Sequence, residues 1–258
     1  MPKLSIVKIG GAVIEDPTKL ASFLADFAAL EGHKILVHGG GKKASLWAEK
    51  LGIPVQMKDG RRVTDAATLE LITGIYGGQL NKNIVALLQG MGCNALGLSG
   101  ADGNAIQAIK RPVKAIDYGF VGDVSQVNTA LFNSIIEQDI SPVCCAITHD
   151  GKGQLFNTNA DTIAAEIGKA MAAHFDTVLY YCFELPGVMK ELSDPDSLIK
   201  HITEESYTNL LVNNVISAGM LPKLYNAFDA LKGGLQEVGI GSTKMICNNT
   251  PYTSITLK

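Results

Sequence analysis

The stretch "ILVHGGGKKASLWAEKL", residues 35–51, decides the fold. The apolar run "KILVH" at 34–38 reads as a buried strand. Ala44, Trp47, Ala48 and Leu51 recur at helical spacing and predict a helix after it. Between the two stand Gly39, Gly40 and Gly41, with Lys42 and Lys43 beside them. A strand that enters a helix through bare backbone is the joint of a parallel α/β sheet, and such sheets bind ligands at the carboxyl ends of their strands. Without Cβ atoms the backbone can approach an anion closely. The helix N-terminus then offers free N–H groups and a partial positive charge. A plain tight turn is the alternative for this stretch alone. The pattern is neither a Walker loop nor Gly-x-Gly-x-x-Gly, so neither nucleotide motif is invoked.

The same alternation runs outward in both directions. "LSIVKI" (4–9) is a strand, and Leu20, Phe23, Leu24, Phe27 and Leu30 mark a helix over 17–31. "MKDGRRV" carries a hairpin signal at Asp59-Gly60. Residues 65–90 suit one long helix, followed by the strand "NALGL" (94–98). "IQAIKRPV" and "FVGDVSQV" read as exposed strands or a hairpin. A helix near 129–138 leads to "PVCCAI" (142–147). After a turn at Asp150-Gly151, Ile163, Ala164, Ile167 and Met171 mark a helix, and "TVLYYC" (177–182) is a strand. Helices at 203–213 and 220–232 precede short strands near 236–240 and 244–246. Repeated βα units imply an α/β fold with a mostly parallel sheet covered by helices on both faces.

Composition limits the classes of function. The chain has 258 residues, 47% hydrophobic and 18% charged, with a formal net charge of −3. That suffices for a large core without staples, and it leaves no global charge footprint for nucleic acid or anionic membrane. No apolar stretch reaches the length of a membrane span, and no leader is visible before the first strand, so a cytoplasmic protein is expected. The five cysteines, Cys93, Cys144, Cys145, Cys182 and Cys247, form no Cys-x-x-Cys pair and are expected to be free thiols, most of them buried. The histidines lack metal-ligand spacing, so no protein-held metal is expected.

Three further stretches resemble the opening one in purpose. "IVKIGGAVI" places Lys8 among apolar neighbours in the first strand, with Gly10 and Gly11 just after it. A lysine there is costly unless it meets an anion; an edge strand facing water is the alternative. In "NNVISAGMLPKLYNAFDAL", Pro222 suits a first helical turn. Lys223 shares that turn, where a cation opposes the helix dipole. A local rule broken without local benefit points to a ligand, although a surface lysine would look the same. In "GQLFNTNADTIAAEIG", Asn157, Asn159 and Asp161 lie at a helix start, where Asn159 is also a good N-cap and Asp161 favours the dipole.

Taken in order, "KIGG", "VHGGG", "GRRVT", "GFVGDV", "NTNAD", "GMLPK" and "GIGSTKMI" resemble the amino acid kinase family over nearly the whole chain. "GRRVT" with "NTNAD" is similar to the branch acting on acylated glutamate, over the aspartate, carbamate or uridylate kinases. The resemblance implies a three-layer αβα sandwich with a mainly parallel central sheet. It implies one domain over 1–258, with an N-lobe of about 1–150 for the acylated amino acid and a C-lobe of about 151–258 for ATP. The implied reaction phosphorylates the γ-carboxylate of N-acetyl-L-glutamate to an acyl phosphate, in arginine biosynthesis. N-succinylglutamate, another acylated glutamate, and a non-catalytic sensor on the same fold are the alternatives. The resemblance assigns Lys8 and Lys223 to transition-state stabilisation and Asp161 to orienting them. Gly11 and Gly40 donate N–H bonds to the moving phosphoryl group, with Gly10 beside Gly11 in the same phosphate loop. By the same resemblance Gly40, Gly41, Arg62 and Asn157 would hold the substrate, and Mg²⁺ would ride on the ATP phosphates.

These residue types suit that chemistry. A carboxylate nucleophile is already ionised at pH 7, so no general base is required and His38 can be structural. The obstacle is repulsion: like charges about 4 Å apart repel by about 4 kcal/mol at an effective dielectric of 20. Fixed cations and N–H donors offset it, one such donor contributing roughly 2.7–4 kcal/mol in a transition state. Arg62 can grip a carboxylate through two parallel bonds, which a lysine cannot. Two departures stand out. "YYCFELPGV" has Phe183 and Glu184 where the family usually has a Thr/Ser-Asp pair at the nucleotide rim; Glu184 can still accept a ribose hydrogen bond. "LSGADG" has Ala101 where lysine is usual. The chain opens directly on its first strand, whereas arginine-inhibited members carry an extra N-terminal helix that builds a hexamer. An arginine-insensitive homodimer is the resulting expectation.

Overall fold

The structure, a computed structural model, describes residues 1–258 except Asp59, Leu192, 213–219, Asn248 and Asn249, and except the side chains of Pro195 and Pro222. Asp59 of the expected hairpin turn, and Gly219 with the residues before it, therefore lie outside the described residues. The elements in chain order are β1 (Lys3–Ile9), α1 (Gly11–Glu15), α2 (Pro17–Ala29), β2 (His33–His38), α3 (Gly41–Lys50), β3 (Met57–Lys58), β4 (Arg61–Arg62), α4 (Ala66–Thr73), a π-helical segment (Gly74–Leu80), α5 (Asn81–Gly90), β5 (Ala95–Leu98), β6 (Ile106–Lys110), β7 (Gly122–Val127) and α6 (Thr129–Ile136). There follow β8 (Ser141–Cys145), β9 (Ile147–His149), β10 (Leu155–Asn157), α7 (Ala160–Met171), β11 (Asp176–Phe183), β12 (His201–Ile202), α8 (Glu204–Val212), α9 (Leu221–Lys232), β13 (Glu237–Ser242) and β14 (Thr253–Ile255).

Packing groups these elements into two compact units, Met1–Ile35 with Ala164–Lys258, and Leu36–Ile163. In the first unit the strands lie in the order β12-β14-β13-β11-β1, all neighbours parallel except the antiparallel pair β13/β14. Strand β1 is apolar on both faces: Leu4 and Ile6 on one and Val7 and Ile9 on the other are at most 1% exposed. That is the pattern of a parallel strand covered on both sides. Helix α7 meets the strand where Gly168 faces Ile6. Leu20, Phe23, Leu24 and Phe27 form the buried face of α2, whose N-terminus is capped by Asp16 accepting from the Thr18 and Lys19 amides.

In the second unit β2, β8 and β5 are adjacent and parallel, in that order. A separate four-stranded sheet runs β10-β9-β6-β7, with β6/β7 and β9/β10 antiparallel. β3 and β4 form the small hairpin expected around Gly60. The strand–glycine–helix joint of the opening stretch is present: β2 ends at His38 and α3 begins at Gly41.

Three local expectations are revised. Residues 65–90 are helical throughout, but Gly74–Leu80 is wound as a π-helix between α4 and α5. Gly74, Gly77 and Gly78 weaken the α-helical preference there, which lets the turn widen. The strand expected at 244–246 is a short 3₁₀ turn, Thr243–Ile246, and the sheet gains β14 further on. The apolar stripe of α3 is only half used: Ala44 and Ala48 are buried, whereas Trp47 and Leu51 are 36% and 59% exposed. Four of the cysteines are buried free thiols as expected, and Cys247 is free and exposed.

Candidate active site

In the first unit, the candidate phosphate-binding residues gather at the carboxyl ends of β1 and β11. Lys8 is in register with Tyr181, so the two side chains share one face of the sheet. Lys223 reaches the same ring from the first turn of α9, its Nζ 5.8 Å from the Tyr181 centroid. Both lysines thus meet one buried aromatic, 1% exposed. Tyr181 is a residue that sequence reasoning passed over, since a tyrosine inside "TVLYYC" looks like core. Burial pushes the Cys182 thiol up, and the nearby Lys8 charge pulls it partly back. The Gly10 N–H donates to the Cys182 carbonyl at 3.1 Å. Gly10 therefore contributes a bare Cα, not a free donor, and the next amide belongs to Gly11, the first residue of α1. Glu184 is exposed and paired with Lys19 at 3.3 Å, both side chains more than half exposed. An ion pair of that kind contributes at most about 1 kcal/mol.

In the second unit, Gly40, Gly41 and Arg62 form one cluster. A Cβ on Gly40 would lie 2.5 Å from Leu80 Cδ1 and 2.8 Å from the Tyr76 ring. The π-helical segment is thus pressed against the glycine loop, and any larger residue at position 40 would force Leu80 or Tyr76 to move. Arg62 is 8% exposed. Its Nη2 donates to the Gly41 carbonyl at 2.8 Å and to Ser45 Oγ at 2.7 Å. Its Nη1 is buried and has no hydrogen-bond partner. A buried unsatisfied donor costs roughly 1–3 kcal/mol or more when charged, and an acceptor placed there would offset that cost. Burial raises the Tyr76 hydroxyl pKa and the facing Arg62 charge opposes that rise.

Asn157 joins the same cluster through Thr64. Asn157 Nδ2 donates to Thr64 Oγ1 at 3.0 Å, and Thr64 Oγ1 donates to the Arg62 carbonyl at 3.2 Å. Thr64 is fully buried. Next along the chain, Thr158 Oγ1 lies 2.7 Å from Thr148 Oγ1, which anchors the "NTNAD" segment. Asn159 caps α7 as expected, accepting from the Asp161 and Thr162 amides at 2.8 and 3.1 Å. Asp161 is in the first turn of that helix, where its charge favours the dipole. His38 is fully buried, and burial lowers its pKa to about 4, so it is neutral at pH 7. Its Nδ1–H donates to the Gly39 carbonyl at 2.8 Å, and its Nε2 accepts from Asn81 Nδ2 at 3.1 Å. Asn81 also donates to the Val143 carbonyl at 2.8 Å, so His38 ties the glycine loop to β8.

Chemically, the first unit thus presents two amines around an aromatic platform, and the second a guanidinium with an unfilled nitrogen beside a side-chain-free loop. The described residues include no group of three or more His, Cys, Asp or Glu side chains arranged for a metal ion, and no helix long and apolar enough to cross a membrane. Sequence reasoning singled out none of Ser45, Thr64 and Tyr76 as site residues. Thr64 alone had a signal, being part of "GRRVT".

Comparison with known proteins agrees with this picture. The model of the amino acid kinase family matches residues 3–242. The acetylglutamate kinase of Phocaeicola vulgatus is 52% identical over 238 residues, covering 92% of this chain and 93% of that protein. The acetylglutamate kinase of Bacteroides thetaiotaomicron is 50% identical over 247 residues, covering 96% of each. A crystal structure from Streptococcus mutans UA159 superposes with a TM-score of 0.79 at 25% identity, over 99% of both chains. With a family match spanning nearly all of its length, and with relatives at about half identity over nine-tenths of the chain, this chain belongs to the amino acid kinase family.

Proposed function

We propose that this protein transfers the γ-phosphoryl group of ATP to the γ-carboxylate of N-acetyl-L-glutamate, the step of arginine biosynthesis that makes an acyl phosphate. The observation that carries the reading is Arg62: a buried guanidinium, pinned at Nη2, with Nη1 left without a partner. Such a group suits the substrate's other carboxylate, which must be held while the γ-carboxylate reacts. The similarity to acetylglutamate kinases at about half identity supports the choice of amino acid.

In this reading a γ-carboxylate oxygen attacks the γ-phosphorus, the bond to the β,γ-bridging oxygen breaks, and ADP leaves. No proton need be removed. Lys8 and Lys223 stabilise the charge on the transferring group, Asp161 orients them, and Gly11 and Gly40 supply backbone donors. Gly40, Gly41, Arg62 and Asn157 hold the amino acid. Gly10 lets the phosphates approach, and Glu184 accepts from the ribose. Residues of about 1–150 supply most of the amino-acid contacts and those of about 151–258 most of the ATP contacts, with Lys8, Gly10, Gly11 and Asn157 crossing that division. Mg²⁺ would be held mainly by the ATP phosphates and water, neutralising charge on the transferring group. A cytoplasmic homodimer is part of the same reading. The edge position of β5, with Leu96 42% exposed on it and Leu87 and Met91 40% and 37% exposed in and just after α5, supports self-association.

The test is to incubate the protein with ATP, Mg²⁺ and hydroxylamine, trapping acyl phosphate as the hydroxamate. N-acetylglutamate, N-succinylglutamate, free glutamate and aspartate run in parallel. Hydroxamate from N-acetylglutamate is the expected result. Product from N-succinylglutamate alone moves the acyl preference, and no product from any with ATP still bound overturns the kinase in favour of a sensor.

A further inference from the structure

Arg62 does not stand alone in its pocket. One of its terminal nitrogens is occupied from two sides. Nη2 donates at 2.7 Å to Ser45 Oγ, and Ser45 Oγ in turn donates at 3.1 Å to the same Gly41 carbonyl that Nη2 reaches at 2.8 Å. The three groups form a closed triangle. Its members come from β4 and from the first and second turns of α3, so the guanidinium plane is fixed relative to the glycine loop. Tyr76 closes the arrangement from the π-helical segment. It is 4% exposed, its hydroxyl comes within 3.9 Å of where a Cβ on Gly41 would lie, the residue whose carbonyl Nη2 binds, and its ring packs against Gly40. A π-helical turn shifts the side chains that follow it out of α-helical register.

We propose that Ser45 and Tyr76 are positioning residues for Arg62. Ser45 occupies Nη2 and Tyr76 backs the guanidinium, so that Nη1 is the donor presented to the substrate's carboxylate. The inference rests on the reading of Arg62 as the carboxylate-binding group. It assigns to two residues outside the recognised motifs a share in the affinity for the acylated amino acid. It also gives the π-helical segment a purpose: it delivers Tyr76 and Leu80 together beneath the glycine loop.

The test is steady-state kinetics on Ser45→Ala, Ser45→Thr, Tyr76→Phe and Arg62→Ala, with the two double variants that combine Arg62→Ala with Ser45→Ala or Tyr76→Phe. Losing a hydrogen bond to a charged group should raise KM for the acylated glutamate roughly 3- to 30-fold in Ser45→Ala, and by less in Tyr76→Phe. KM for ATP should stay within about twofold, and Ser45→Thr, which keeps the hydroxyl, should recover most of the loss. In the Arg62→Ala background neither second change should raise KM further, because the group they position is gone. Equal KM increases with and without Arg62 would overturn the proposal, as would unchanged KM in both single variants while Arg62→Ala raises it. An unchanged KM in Arg62→Ala itself would overturn the parent reading instead.

Discussion

Replacing Gly40 by alanine puts the packing of the glycine loop to a direct test. The added Cβ would lie 2.5 Å from Leu80 Cδ1 and 2.8 and 2.9 Å from two carbons of the Tyr76 ring. Real contacts of this kind are not made below 3.0 Å, so something must move. Leu80 and Tyr76 are 5% and 4% exposed and cannot swing into solvent. Overpacking of a filled site costs about 1–3 kcal/mol. For a chain of this size each kcal/mol lowers the melting temperature by about 2–4 °C, so a loss of roughly 2–12 °C is expected. The neighbouring Gly39→Ala is the control, because its Cβ would be 3.8 Å from the Ala160 Cβ, an ordinary contact. It should melt within about 2 °C of the parent, helped by the lower entropy of its unfolded chain. The same movement of Tyr76 away from Arg62 should raise KM for the acylated glutamate in Gly40→Ala. Calorimetry and initial-rate kinetics on the two variants decide the matter. A Gly40→Ala protein that melts with the parent and keeps its KM would refute the packing argument.

Three further outcomes are expected. Lys8→Ala and Lys223→Ala should each lower kcat by about 10²–10³-fold while the melting temperature changes little, as removal of a fixed charge from a transition state does; near-normal turnover in either removes that lysine from its role. His38 has a folded pKa of about 4 against 6.5 when unfolded, so the unfolded chain binds the extra proton between those values. Stability from this group is complete above about pH 6.5 and is lost as the pH falls toward 4, by an amount on the order of 3 kcal/mol. Denaturant midpoints at pH 7 and pH 4.5 should show that slope in the parent and a reduced one in His38→Gln; equal slopes would contradict it. Thr64→Val removes the acceptor for Asn157 Nδ2 and the donor to the Arg62 carbonyl, and should destabilise by about 1–3 kcal/mol while raising KM for the amino acid more than for ATP. Unchanged values of both would mean that Thr64 does not couple the two residues.

Much of the architecture was legible in the chain. A period near 3.6 marked α2 through Leu20, Phe23, Leu24 and Phe27, and all four are buried. Short apolar runs marked β1, β2, β8 and β11, and each is a strand. These signals are local: they record which residues of one segment share a face, and burial of that face forms the element. The glycine joint at 39–41 and the lysine inside β1 were visible for the same reason, as residues out of keeping with their own segment.

What the sequence did not carry depends on residues far apart in the chain. The π-helical winding of Gly74–Leu80 leaves no mark in the period of its own residues, and its contact with Gly40 joins segments more than 30 positions apart. Strand β14 was missed because three residues carry too little pattern to count. The exposure of Trp47 and Leu51 shows that a stripe of the right period need not be covered. Ser45 meets Arg62 17 positions away, and Thr64 meets Asn157 93 positions away. The grouping of the first 35 residues with 164–258 follows from β1 pairing with β11. Composition and periodicity fix what each segment is. Partners are fixed by register and close packing, which exist only once the whole chain has folded.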